Sequence, residues 1–236
     1  MAVFLLVPGA WHGAWCWARL ALLLQAAGHE VIAPDLIAVP AGENPLPVWA
    51  AQIAALARAA PAPVLLLGHS RGGVVVQEAV ALAPDAVRAC VYLAAFMLPV
   101  GESLQSAMAW PEAGAPPDYL RPARGQCVRV AQEAMMSRFY PHSPVALAQE
   151  AAQRLHPEPL GAFSATVTVP PNLRPAIYIE CRADQVIPLA LQRAMQAASP
   201  PAQVVGLNAD HSPFLSQPEA LFALLDQAAG TLLSPL

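Results

Sequence analysis

An apolar run, Val64–Leu67, leads into Gly68-His69-Ser70-Arg71-Gly72-Gly73, and a helical pattern over Gly72–Ala83 follows at once. A strand that becomes a helix within a few residues has little room for side chains, and Gly68 and Gly72 remove them on either side of Ser70. G-x-S-x-G in this setting places the serine on a sharp strand-to-helix turn. Its hydroxyl is lifted clear of a sheet, and the helix N-terminus is aimed at developing negative charge.

The remaining pattern supplies a sheet for that turn. Short apolar runs at Val3–Val7, Val31–Ala33, Cys90–Ala94, Ala176–Glu180 and Gln203–Leu207 read as strands. Amphipathic runs at Ala14–Ala27, Val48–Ala59, Leu189–Ala198 and Pro218–Ala229 read as helices. The alternation predicts an α/β fold of about six mostly parallel strands flanked by helices. It fails between about Met97 and Pro171, where prolines such as Pro116, Pro117, Pro157 and Pro159 exclude long regular elements. Two helical pieces survive there, near Val128–Phe139 and Pro144–Arg154. The expectation is one domain over 1–236 with about 97–171 inserted as a cap.

Composition narrows the function classes. The chain is 56% hydrophobic and 12% charged, enough to bury a sizeable core. Its net charge of −4, with no basic run, gives no electrostatic footprint for nucleic acid. Cys16, Cys90, Cys127 and Cys181 form no C-x-x-C pair, so they read as reduced thiols, and no ligand cluster suggests a metal. The apolar start has no basic residue before it and ends at Pro8-Gly9, unlike a signal peptide. The longest apolar stretches elsewhere are broken by charged residues, so no membrane span is expected. A soluble, cytoplasmic protein is predicted, with no cofactor and an unreadable oligomeric state.

A serine hydroxyl needs a base to become a nucleophile. His211 is the one histidine after Ser70 that follows a predicted core strand; His142 and His156 fall in the irregular insert. The acid that orients it should follow the preceding strand, which leads to Asp184. Asp210 is adjacent to His211 in sequence but badly angled, and Glu180 falls within its own strand. An oxyanion hole needs two backbone N–H groups. Arg71, next to the serine, and Ala10, in the loop after the first strand, are the candidates. The Arg71 side chain is expected to face solvent. Trp11, Phe96, Met97, Met108, Trp110, Phe139, Tyr140, Phe163 and Phe214 are candidate pocket walls, apolar enough for a small to medium uncharged ester as the small-molecule partner.

Trp11-His12-Gly13-Ala14-Trp15-Cys16-Trp17, Ala33-Pro34-Asp35-Leu36, Gly68-His69-Ser70-Arg71-Gly72-Gly73, Ala183-Asp184-Gln185-Val186-Ile187-Pro188 and Ala209-Asp210-His211-Ser212-Pro213-Phe214 together resemble one branch of the α/β-hydrolase superfamily. That branch contains EstC-like bacterial esterases, plant methylesterases of the salicylate-binding type and hydroxynitrile lyases. The resemblance implies a Ser70–Asp184–His211 triad with Ala10 and Arg71 as oxyanion donors, and hence a serine carboxylesterase. Pro8 stands where relatives usually carry His. Lyases of the branch carry Thr or Asn at the position of Gly9, and those with Thr also carry Lys at the position of Ser212. Gly9 and Ser212 supply neither group, which favours ester hydrolysis and leaves a lyase or other carbon–carbon-cleaving enzyme as the first alternative. A non-catalytic small-molecule-binding protein on the same scaffold is the second.

Overall fold

The computed structural model describes residues 1–40 and 42–233; Ala41 and residues 234–236 of the expected 1–236 unit lie outside the described residues. In chain order the strands are β1 (Val3–Val7), β2 (Glu30–Ile32), β3 (Val64–His69), β4 (Val87–Leu93), β5 (Leu120–Ala123), β6 (Cys127–Val130), β7 (Glu158–Pro159), β8 (Ala176–Cys181) and β9 (Gln203–Leu207). Six of them form one sheet in the order β2-β1-β3-β4-β8-β9, every neighbouring pair parallel. This is the expected architecture. Continuous apolar runs such as Val3–Val7 and Val64–Leu67 suit strands covered on both faces, and every residue of β1, β3 and β8 is buried.

The chain leaves β1 towards β2 on one side, then crosses to β3 on the other. Right-handed crossovers in opposite directions put α1 (Ala18–Ala26) on one face of the sheet, with α2 (Leu46–Ala59) and α3 (Gly72–Leu82) on the other. Accordingly α2 packs on α3, and α1 packs on the C-terminal helix Pro218–Leu233. Among the described residues no helix is long and apolar enough to cross a membrane.

The segment between β4 and β8 departs from the sequence expectation in one respect. The predicted helix over Val128–Phe139 begins as strand β6, which pairs antiparallel with β5 and with β7. Val128 and Val130 are buried and Arg129 is exposed, a period-two alternation that suits a strand and not a helix. Helical structure starts only at Gln132 and widens to a π-turn over Met135–Phe139. The proline density excluded long elements but not this small sheet.

The α3 N-terminus presses against the end of β1. A Cβ added at Gly72 would lie 2.7 Å from the Val7 carbonyl oxygen and 2.9 Å from that of Pro8. Both obstacles are backbone, so the contact cannot be relieved by rotating a side chain. Gly72→Ala should cost about 1–3 kcal/mol, read as a lower urea unfolding midpoint. Gly230→Ala, with nothing within 4 Å of the added carbon on an exposed helix position, should not lower it.

Candidate active site

Four loops leave the C-terminal edge of the parallel sheet close together, after β1, β3, β8 and β9. Such an edge is where open α/β sheets bind ligands. Ser70 follows β3 directly. Its φ is +53°, the left-handed region that disfavours any residue with a Cβ, at a cost of roughly 1–2 kcal/mol. The Ser70 N–H donates to the Leu93 carbonyl, and its carbonyl accepts from the N–H groups of Gly73 and Phe96.

Asp184 sits three residues beyond β8. Its Oδ1 accepts the N–H groups of Val186 (2.7 Å) and Ile187 (2.9 Å), which leaves Oδ2 facing β9. There Oδ2 accepts a 2.7 Å hydrogen bond from Nδ1 of His211. Both side chains are buried. The His211 ring lies 4.6 Å, centroid to centroid, from that of His69, the residue before the serine. The Nε2–H of His69 donates to the His211 carbonyl at 2.8 Å, so the loop that carries His211 is tied to the turn at Ser70.

The two rival carboxylates are otherwise engaged. Asp210 accepts from the Ser212 N–H, the Ser216 hydroxyl and the His142 N–H. Glu180 pairs with Arg193.

The loop after β1 crosses over the serine. A Cβ on Gly9 would lie 2.9 Å from the Ser70 Cβ and 2.7 Å from His69 Nδ1. With a side chain at residue 9 the loop or its neighbours would have to shift; glycine allows this close approach, which brings the Ala10 backbone into the site. Trp11, next in line, has φ of +64°.

The side chain of Arg71 overturns the expectation of a solvent-facing role: it is 2% exposed. Its Nη2 donates to the Gly9 carbonyl (3.0 Å), its Nε lies 2.9 Å from Glu158 Oε1, and its guanidinium covers the Trp49 ring at 4.4 Å. Burial pulls its pKa below the ordinary arginine value, and the adjacent Glu158 opposes that pull. Glu158 was not singled out from sequence. It lies in the proline-rich segment, where nothing local marks it.

A cavity of about 530 Å³ opens beside Ser70, Ala10 and Arg71. Trp11, Phe96, Met108 and Phe163 line it, as expected, and Val186 and Ile187 join them. Trp110, Phe139 and Phe214 do not line it, nor do Met97 and Tyr140. Phe214 lies beneath the site, against His69 (5.0 Å) and Trp17 (5.1 Å). Phe139 stands edge-on to His211 (5.5 Å) and Trp11 (5.7 Å). Tyr140 is fully buried and meets His12, Met97 is buried in the core, and Trp110 is only partly buried at the start of a short 3-10 helix. Aromatic character cannot separate a wall from the layer behind it. A larger groove of about 1060 Å³ shares only Trp11 with this cavity and is lined by none of Ala10, Ser70, Arg71, Asp184 and His211. Among the described residues no group of three His, Cys, Asp or Glu side chains forms a metal cage.

Comparison with known proteins agrees with the fold. The family described as "Alpha/beta hydrolase family" matches residues 4–224. Methylesterase 18 of Arabidopsis thaliana is 31% identical over 262 residues, covering 97% of each chain. The crystal structure of the methylesterase protein MES16 from Arabidopsis superposes with a TM-score of 0.79 at 30% identity, covering 98% of this chain and all of that one. A pyrethroid hydrolase from Sphingobium faniae JZ-2 gives 0.84 at 25% identity, covering 97% of each.

His12 gives the site a measurable acid response. Its Nδ1 is 2.8 Å from the Ala10 carbonyl, which can only accept, so Nδ1 carries the proton and Nε2 accepts from the Tyr140 hydroxyl. Desolvation by burial lowers its pKa to about 3, outweighing the hydrogen bond to Ala10. Between pH 6.5 and 3 the unfolded chain binds a proton there that the folded chain does not. Stability is therefore full above pH 6.5 and falls as the pH drops. At pH 5 the loss from this residue should be about 2 kcal/mol. Urea unfolding at pH 7.5 and pH 5 should show that much extra loss in wild type over His12→Gln; equal losses would mean His12 takes up its proton while folded.

Proposed function

The chain belongs to the alpha/beta hydrolase family, and from that premise we propose that it is a serine carboxylesterase acting through an acyl-enzyme on Ser70. His211 takes the Ser70 proton as the serine oxygen attacks an ester carbonyl. Asp184 holds the imidazole with Nδ1–H towards itself and stabilises the imidazolium that forms. The backbone N–H groups of Ala10 and Arg71 receive the oxyanion. His211 then protonates the departing alcohol, and a water molecule, activated by the same ring, releases the acid. The observation that carries this reading is the buried 2.7 Å Asp184–His211 hydrogen bond, tied through His69 to a serine held at positive φ.

Substrates are small to medium uncharged carboxylic esters. The support is the size of the cavity and its apolar lining, together with relatives that bear the names methylesterase and pyrethroid hydrolase. Residue 9 has no hydroxyl and residue 212 no ammonium group, so the two groups that the resemblance associates with lyases are missing. In this reading residues 1–236 are one domain, and about 97–171 form a cap over the pocket. Four unpaired cysteines, three of them buried, fit a reducing compartment such as the cytoplasm.

The test is hydrolysis of p-nitrophenyl esters from acetate to octanoate. Wild type should turn over the shorter members, and Ser70→Ala and His211→Ala should each lose on the order of 10³-fold or more in kcat. Full activity in Ser70→Ala would sink the mechanism. A wild type that binds these esters without turnover would instead favour the binding-protein reading.

A further inference from the structure

A guanidinium and a carboxylate buried together are costly unless each finds several partners. Arg71 and Glu158 are 2% and 1% exposed, and their partners converge on one short stretch of chain. Arg71 Nη2 donates to the carbonyl of Gly9 (3.0 Å), and Glu158 Oε2 accepts the N–H of Trp11 (3.0 Å). Those two groups flank Ala10.

Peptide planarity turns this into a statement about direction. The Gly9 carbonyl and the Ala10 N–H belong to one trans peptide unit, so they point in opposite directions. Holding the carbonyl towards Arg71 sends the Ala10 N–H the other way. The next unit joins Ala10 to Trp11. Its N–H is held by Glu158 and its carbonyl by Nδ1–H of His12, so it cannot turn either. The neighbouring segment adds two more ties: the His156 N–H donates to the Trp11 carbonyl, and His156 Nε2 lies 3.0 Å from the His12 carbonyl. The loop needs such restraint, because Trp11 is held at positive φ and Gly9 can adopt almost any backbone conformation.

We propose that the Arg71–Glu158 pair positions the oxyanion hole. Arg71 supplies one backbone donor and, through its side chain, aims the other, while Glu158 anchors the loop to β7 in the segment between β4 and β8. Neither side chain touches the reacting atoms. The inference rests on the esterase reading above.

The experiment compares wild type with Arg71→Met/Glu158→Met, Glu158→Gln and Arg71→Lys. It measures kcat and KM for p-nitrophenyl butyrate, and Ki for a trifluoromethyl ketone that forms a tetrahedral adduct on the serine. The double variant replaces the pair with apolar side chains, so it should fold with an unfolding midpoint near that of wild type. Its kcat should fall about 10–100-fold with KM within about threefold, because the loss is in the transition state. Ki for the ketone should rise in step with the loss in kcat/KM. Glu158→Gln, which keeps an acceptor for the Trp11 N–H, should lose less. Arg71→Lys keeps the opposite charge but not the fork, and should lose about tenfold in kcat; it decides the matter if the double variant does not fold.

A kcat within twofold of wild type in Arg71→Lys or in the folded double variant overturns the proposal. So does a loss of kcat that leaves the ketone Ki unchanged. Ser70→Ala run alongside separates the two ideas: wild-type turnover that does not depend on Ser70 sinks the esterase reading and the positioning role with it, whereas Ser70-dependent turnover with unaffected variants sinks the positioning role alone.

Discussion

The left-handed turn at Ser70 sets the geometry of everything near it. Its cost of roughly 1–2 kcal/mol is tolerable only because the residue is held from several sides. The Leu93 carbonyl at the end of β4 takes its N–H, and Gly73 and Phe96 bind its carbonyl. The restraint has consequences one strand further on. Ala94, just after β4, is itself at φ +41°, and its N–H is taken by Ile179 of β8. Together with Trp11 after β1, three of the four described non-glycine residues with positive φ lie just beyond adjacent strands of one sheet. Strain is thus collected at one edge, where it aims backbone and side chains into the cavity, and the regular interior of the sheet supports it.

That division explains what could be read from sequence. The strand Val3–Val7 was legible to the residue, because burial on both faces of the sheet imposes an apolar run that needs no knowledge of partners. Ser70, Asp184 and His211 were chosen as candidates for a related reason, and the Asp184–His211 pairing is in the structure. Each follows a recognisable strand, and strand order in a parallel sheet brings strand ends together. Pocket walls were less legible. Phe214 and Phe163 have the same composition signal, yet one lies under His69 and the other borders the cavity. Which side of a loop a ring takes depends on tertiary packing, and no local period encodes it.

Arg71 and Glu158 show the limit most clearly. An arginine beside a surface-lifted serine suggests a side chain in water. What keeps it inside is a carboxylate from a two-residue strand far along the chain, in a stretch whose prolines conceal any regular pattern. Glu158 in turn meets the Trp11 N–H across a separation of 147 residues. A buried ion pair is weak evidence for stability, since apolar residues of similar volume often serve as well or better. What apolar residues cannot do is hold a carbonyl and an N–H in fixed directions on either side of one residue, and that is the work these partners perform here.

The same reasoning distinguishes three histidines that share one shell. His12, His69 and His211 are all buried, and the His69 ring lies 6.0 Å from that of His12 and 4.6 Å from that of His211, centroid to centroid. Burial pushes His12 and His69 below the ordinary imidazole range, and each uses a ring N–H on a backbone carbonyl, of Ala10 and His211 respectively. A carbonyl orients a ring but does not offset a positive charge as a carboxylate does. His211 alone of the three has a carboxylate, Asp184, against its Nδ1. In this shell one ring thus faces a carboxylate, and the other two donate to backbone carbonyls. The two neutral rings serve instead to hold the loops that carry Ala10 and His211 in place.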